Sequence, residues 1–220
     1  VRLVGSEMCI RDSSRSIHTA AERLPPDIRV SSDPLQLSGD DKIDLVLELM
    51  GGTETAKSLV LEALSKGKAV VTANKALLAL HGDEIFAMSE KEQAPLGFEA
   101  SVAGGIPIVR TLRQGFGADV NKALFGIVNG TCNYVLSTMS EKDEDFDTVL
   151  RRAQELGYAE ADPSMDVDGL DAAQKLTLLV MLAFGVRVPV ESVYTEGIRG
   201  LNNIDIALAR EFGYVIKLLA

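Results

Sequence analysis

Cysteine is almost missing from this 220-residue chain, which holds only Cys9 and Cys132. Two thiols cannot build a disulfide framework, and the usage fits a reducing compartment such as the cytoplasm. Histidine is equally scarce: neither His18 nor His81 stands at a metal-ligand spacing from a cysteine or from the other histidine. With no histidine near it in sequence, Cys132 in the run NGTCNY reads as a small packed residue rather than a nucleophile. Long apolar stretches are missing too, since none reaches the roughly 18 residues that cross a bilayer. Leu176 to Phe184 is too short for that and reads as core. Basic charge is in deficit: 22 lysines and arginines against 32 acids give a net charge of −10. Sequence-independent nucleic-acid binding needs a basic face to displace counterions, so the balance argues against that class.

What remains is the composition of a soluble enzyme, long enough for one large domain or two small ones. Its richest stretch is Gly157 to Lys175, GYAEADPSMDVDGLDAAQK, in which five carboxylates and one lysine surround a helix start. The helix that follows, Asp171 to Gly185, is apolar on nearly every face from Leu176 to Phe184 and is expected to be buried. Asp171 and Lys175 stand four apart and share one helix face. The plain reading is a solvated ion pair worth a few tenths of a kcal/mol. The alternative is a lysine whose proton is tuned by desolvation and by the carboxylates, able to act as a general acid or base. The carboxylates could equally hold a cationic group, such as an amine, on a small substrate.

Upstream, DLVLEL (Asp44 to Leu49) is a nearly continuous apolar run of the parallel-sheet kind, ended by Met50, Gly51 and Gly52. The next segment places Ala56, Leu59, Val60, Ala63 and Leu64 on one helix face, with Thr53 as N-cap and Gly67 as stop. Strand KAVVTA follows. Strand, helix and strand make a crossover unit, half of a doubly wound nucleotide-binding sheet. Ligands of such sheets lie beyond the carboxyl ends of the strands, where Gly51, Gly52, Asn74 and Lys75 fall. The two glycines read either as an ordinary turn or as a close backbone approach to a cofactor. A charged helix over Glu84 to Glu92, strand PLGFEA and a Pro107-initiated helix come next, with the domain boundary there. Beyond it, strand Lys122 to Asn129 and helices near Cys132 to Ser140 and Phe146 to Leu156 suit an α+β domain with helices over one face of a sheet.

The runs LELMGG (Leu47 to Gly52), VVTANKALLA (Val70 to Ala79), FEASVAGGIPI (Phe98 to Ile108), GIVNGTCNYVL (Gly126 to Leu136), the acidic segment and YTEGI (Tyr194 to Ile198) resemble homoserine dehydrogenases in order and spacing. The resemblance covers about Asp44 to the C-terminus. It implies an α/β chain with a partial Rossmann-like NAD(P)-binding domain over 14–103 and an α+β substrate and dimerisation domain over 104–220. It also implies interconversion of homoserine and aspartate 4-semialdehyde, in threonine and methionine synthesis, by a homodimer or higher homo-oligomer. Lys175 would transfer the proton, Asp171 would orient Lys175 or the reacting oxygen, and Lys75 is a second candidate for proton transfer that also faces the cofactor, NAD or NADP. Gly130, Thr131, Glu160 and Asp166 match substrate-pocket positions, with Glu160 anchoring the substrate amine and Asp166 supporting that pocket, although Gly130 and Thr131 also read as a helix cap. Glu99, Val102, Gly104 and Ile106 match a sodium site built largely from backbone carbonyls, in a turn that read without the resemblance is only a turn.

Two departures go with the resemblance. The family's opening strand and G-x-G-x-x-G turn are not present, and Val1 to about Ser13 resembles translated adaptor or vector sequence, set aside from the fold together with Cys9. The expectation is therefore a truncated enzyme, with a noncatalytic dimerisation module as the alternative. From Ile17 a short helical piece and a turn at Pro25 and Pro26 are expected.

Overall fold

A computed structural model describes residues 11–13 and 28–220. Most of the stretch set aside as foreign, and the helical piece and turn expected from Ile17 to Pro26, lie outside the described residues. The chain divides into two compact units between Ser101 and Val102, two residues before the expected boundary.

In the first unit, β1 (Arg11–Ser13) pairs in parallel with β2 (Arg29–Ser31), so the last three residues of the set-aside stretch form a strand. After α1 (Leu35–Gly39) comes a parallel sheet of β3 (Leu45–Glu48), β4 (Ala69–Thr72) and β5 (Leu96–Gly97), in that order. The crossovers run through α2 (Glu54–Ser65) and α3 (Lys75–Glu92). All five apolar positions read on α2 are buried, and Leu59, Val60 and Leu64 each contribute roughly 1.5–3 kcal/mol by leaving water. Along β3 burial alternates: Val46 and Glu48 are buried while Leu45 and Leu47 are exposed. The apolar run is thus covered on one face, not on both.

Two elements differ from expectation. The charged helix does not begin at Glu84 but at Lys75, because the Asn74 side chain accepts the Leu77 N–H at 3.0 Å and caps an 18-residue helix. The strand PLGFEA shortens to Leu96–Gly97 and passes into a 3₁₀ turn, Glu99–Ser101, whose Ser101 hydroxyl donates to the Thr72 carbonyl at 3.0 Å.

The second unit is helical: α4 (Ile108–Arg110) running into a π turn (Thr111–Gly115), α5 (Gly130–Lys142), α6 (Phe146–Glu155), α7 (Ser164–Val167), α8 (Leu170–Phe184) and α9 (Asn203–Glu211). Its core joins Cys132, Val135, Leu136 and Met139 of α5 to Val149 and Ala153 of α6, with Val167, Ile198 and Ile206 closing it. The predicted strand Lys122 to Asn129 carries no ladder. It runs with alternating exposure, Phe125 83% and Ile127 46% exposed, and its backbone pairs once, reciprocally, between Gly126 and Ala220 at 2.9 Å. A strand is defined by its partner, and a single rung is too few. Helix α8 is deeply buried only through Leu179, and Phe184 is exposed. Among the described residues no helix is long and apolar enough to cross a membrane.

Candidate active site

The second unit holds a cavity of about 390 Å³ lined by Asn129, Gly130, Thr131, Tyr134, Tyr158, Asp166, Asp171 and Lys175. Four segments deliver them. The N-terminus of α5, with its cap Asn129, brings Gly130, Thr131 and Tyr134, the turn after α6 brings Tyr158, α7 brings Asp166, and the first two turns of α8 bring Asp171 and Lys175. The rings of Tyr134 and Tyr158 lie 5.0 Å apart and make one wall.

Lys175 is held from two sides, donating to Asp171 Oδ2 at 2.7 Å and to the Val128 carbonyl at 2.8 Å. Its side chain is 19% exposed and that of Asp171 10%, so this is not the solvated surface pair of the plain reading. An ammonium has three N–H donors; two are committed, and the third has no partner among the described residues. The Thr131 hydroxyl lies 2.8 Å from the Tyr158 carbonyl and 3.0 Å from Asp166 Oδ2. With one proton, it donates to one of them at a time.

The five carboxylates of the acidic segment therefore separate. Asp166 and Asp171 line the cavity. Asp162 accepts the Ser164 N–H at 3.1 Å, and its hydrogen bonds with Ser164 hold its carboxyl below the usual range. Asp168 takes a two-pronged bond from Arg199 at 2.8 and 3.1 Å, and that hydrogen-bonded guanidinium lowers its carboxyl too. Glu160 is exposed and outside the cavity lining; its carbonyl accepts from Gln154 Nε2 at 3.1 Å.

The YTEGI run explains itself here. The Ile198 N–H donates to the Val167 carbonyl at 2.7 Å, which brings the two backbones so close that a Cβ on Gly197 would sit 2.3 Å from that oxygen. Only glycine fits. Together with the Arg199 pair, this strap fixes the turn between Asp166 and Asp171.

Sequence reading missed Asn129, which is buried and bonds to both cavity carboxylates: its Nδ2 donates to Asp166 Oδ1 at 2.7 Å and to Asp171 Oδ2 at 2.8 Å. It missed the two tyrosines as well. For Asn129 the available signal was its place directly before the glycine that opens α5. Cys132 is a buried free thiol. Burial first, then the charges of Asp166, Asp171 and Asp168, push it up to about 12.

In the first unit, the residues expected at the cofactor edge come together. Asn74 Nδ2 donates to the Gly52 carbonyl at 2.7 Å and to the Met50 carbonyl at 3.3 Å, tying the loop after β3 to the start of α3. Beneath it the buried Glu48 carboxylate accepts from the Met50 N–H at 2.8 Å and from the Thr72 hydroxyl. Gly51 and Gly52 face open space, and Gly52 has φ 83°. Thr53, at the N-cap of α2, makes no side-chain cap, so the first N–H groups of that helix are not met by it. Lys75 is the first residue of α3, where the helix dipole by itself disfavours a cation.

Of the four residues expected at a cation, Glu99 stands in the 3₁₀ turn, Val102 is buried, and Gly104 and Ile106 are exposed. The Ile106 carbonyl already accepts the Ile108 N–H at 2.8 Å. Among the described residues no group of three or more His, Cys, Asp or Glu could hold a metal.

A family model described as homoserine dehydrogenase matches residues 107–220, and one described as homoserine dehydrogenase, NAD binding domain, matches residues 7–99. The chain is similar to the homoserine dehydrogenase of Neisseria gonorrhoeae, 46% identical over 99% of this chain and 50% of that one. It is 50% identical to the homoserine dehydrogenase of Synechocystis over 90% of this chain and 45% of that one. The crystal structure of a homoserine dehydrogenase from Thiobacillus denitrificans superposes with a TM-score of 0.90 at 48% identity, covering 96% of this chain and 48% of that one. The chain thus spans about half the length of the curated relatives it matches.

Proposed function

The chain belongs to the homoserine dehydrogenase family, and from that premise we propose that the protein carrying it interconverts L-homoserine and L-aspartate 4-semialdehyde with NAD or NADP. The observation that carries this reading is the Lys175 ammonium, bound to Asp171 and to the Val128 carbonyl in a cavity of amino-acid size with one N–H uncommitted. That group can donate to an alkoxide as it develops and take the proton back in the reverse direction, which is worth about 10²- to 10⁴-fold in rate. Asp171 orients it. Asp166, with Thr131 beside it, offers a carboxylate to the substrate amine, and Glu160 is retained as a second amine partner on its sequence match alone.

The cofactor fits the edge of the first unit's sheet, where the open Gly51–Gly52 backbone, the uncapped start of α2 and Lys75 would hold it. When bound, it supplies or accepts the hydride. Asn74 keeps the loop in shape, and Lys75 brings positive charge to the same edge. The proposal extends to a sodium ion at Glu99, Val102, Gly104 and Ile106, to a homo-oligomer and to a cytoplasmic location, each supported by the sequence. Matches to both family models favour this reading over a noncatalytic dimerisation module.

The test is homoserine-dependent reduction of NAD and of NADP by the protein carrying this chain, followed by nicotinamide absorbance. Turnover with either is the expected result. No turnover with either cofactor overturns the proposal.

A further inference from the structure

Three helices begin at an asparagine whose Oδ1 accepts a backbone N–H: Asn74 before α3, Asn129 before α5 and Asn202 before α9. Capping alone does not ask for asparagine, because aspartate and serine cap equally well. What separates the three is the other end of the amide. At Asn202 it has no partner among the described residues. At Asn129 the cap bond, Cys132 N–H to Oδ1 at 2.7 Å, fixes which way the amide faces, so both Nδ2 hydrogens point at Asp166 and Asp171.

We propose that Asn129 is a positioning residue for the reaction: it sets the spacing of the two cavity carboxylates and, through Asp171, the direction of Lys175. This rests on the function proposed above. Asp171 Oδ2 receives both Asn129 and Lys175, so the carboxylate cannot turn away from either without losing a bond. Asp166 is tied in the same way through Oδ1, which leaves Oδ2 to Thr131 or to a substrate amine. An amide is the only side-chain group that accepts one bond from a helix start and donates two to separate carboxylates. Aspartate would add a third negative charge at hydrogen-bond distance from two others, and serine could donate only once.

Two measurements test this. The first needs no turnover: the side-chain amide hydrogens of Asn129, observed by nitrogen-15 NMR, should both exchange slowly with water, whereas those of Asn202 exchange freely. Free exchange at Asn129 overturns the proposal. The second compares Asn129→Ser and Asn129→Asp, which keep the cap. Each should retain the helical content of the unaltered protein, while kcat falls about 10²-fold, the effect expected of small misplacement in a catalytic constellation, and KM for homoserine rises only several-fold. Unchanged kcat in Asn129→Ser overturns the inference even if Asn129→Asp fails to fold. If the unaltered protein has no homoserine-dependent turnover, the functional reading fails instead, and the amide exchange still decides whether Asn129 holds the pair.

Discussion

Asn74 in the first unit and Asn129 in the second are the same device applied to different loads. Each caps a helix with its oxygen and directs its nitrogen at acceptors beside a proposed ligand site. Asn74 ties two neutral carbonyls, one of its bonds exposed; Asn129 ties two carboxylates in a buried setting. The difference sets the cost of failure. Carbonyls freed at the cofactor edge can turn to water, whereas Asp166 and Asp171, left with Thr131 and Lys175, would each lose a charge-assisted bond inside a half-closed cavity. The first unit shapes its site with backbone and open space, and the second with fixed charge.

The largest effect should come from taking charge out of the second unit. Lys175→Ala is expected to lower kcat for homoserine oxidation by about 10²- to 10⁴-fold with an unchanged circular-dichroism spectrum. Activity within a few-fold of the unaltered protein would mean that the fixed charge is not the chemistry. Next comes Gly197→Ala, which forces a Cβ to within 2.3 Å of the Val167 oxygen. Relief of that contact should cost about 3 kcal/mol, read as a lower denaturant midpoint for the second unit alone. A midpoint equal to wild type would show that the strap yields.

Asn74→Ser sharpens the contrast from the other side. The cap survives, the loop tie goes, and two neutral bonds of about 0.5–1.5 kcal/mol each suggest roughly tenfold weaker cofactor binding by fluorescence titration, with KM for homoserine unaffected. A change in KM but not in cofactor affinity would contradict the division of labour. The smallest effect belongs to Arg199→Gln. Asp168 is half-exposed and its carboxyl is lowered by Arg199; a group whose folded value is depressed adds stability above its unfolded value and loses it as pH falls through the folded one. The variant should therefore melt slightly lower than wild type near neutral pH, in low salt, and the gap should close in acid. A gap that persists once Asp168 is protonated would assign the arginine another role.

Local pattern explains what was legible beforehand. Asp171 and Lys175 are four apart on one helix, and the apolar face of α2 repeats within a dozen residues, so both could be read directly. Asn129 could not, because its carboxylate partners lie 37 and 42 residues downstream. The extent of α3 was hidden for a different reason: Asn74 and Lys75 carry ligand-edge chemistry and helix-start chemistry at once, and only the first was recognised. Lys122 to Asn129 has the alternation of a strand in sequence and in exposure, yet the ladder depends on a partner that sequence spacing does not specify.

The strap through Gly197 also has a consequence in time. Its bonds to the acidic turn join positions 31 residues apart, Arg199 to Asp168 among them, while α8 and the Asp171–Lys175 pair form locally. Contacts closing a loop of that length form after local helix, and because Val167 and Ile198 are themselves core residues their bond is expected to open only with the core. The turn carrying Asp166 is thus expected to assemble late yet stay closed once formed, and the hydrogen-exchange rate of the Ile198 amide is the clock on which the core's opening can be read.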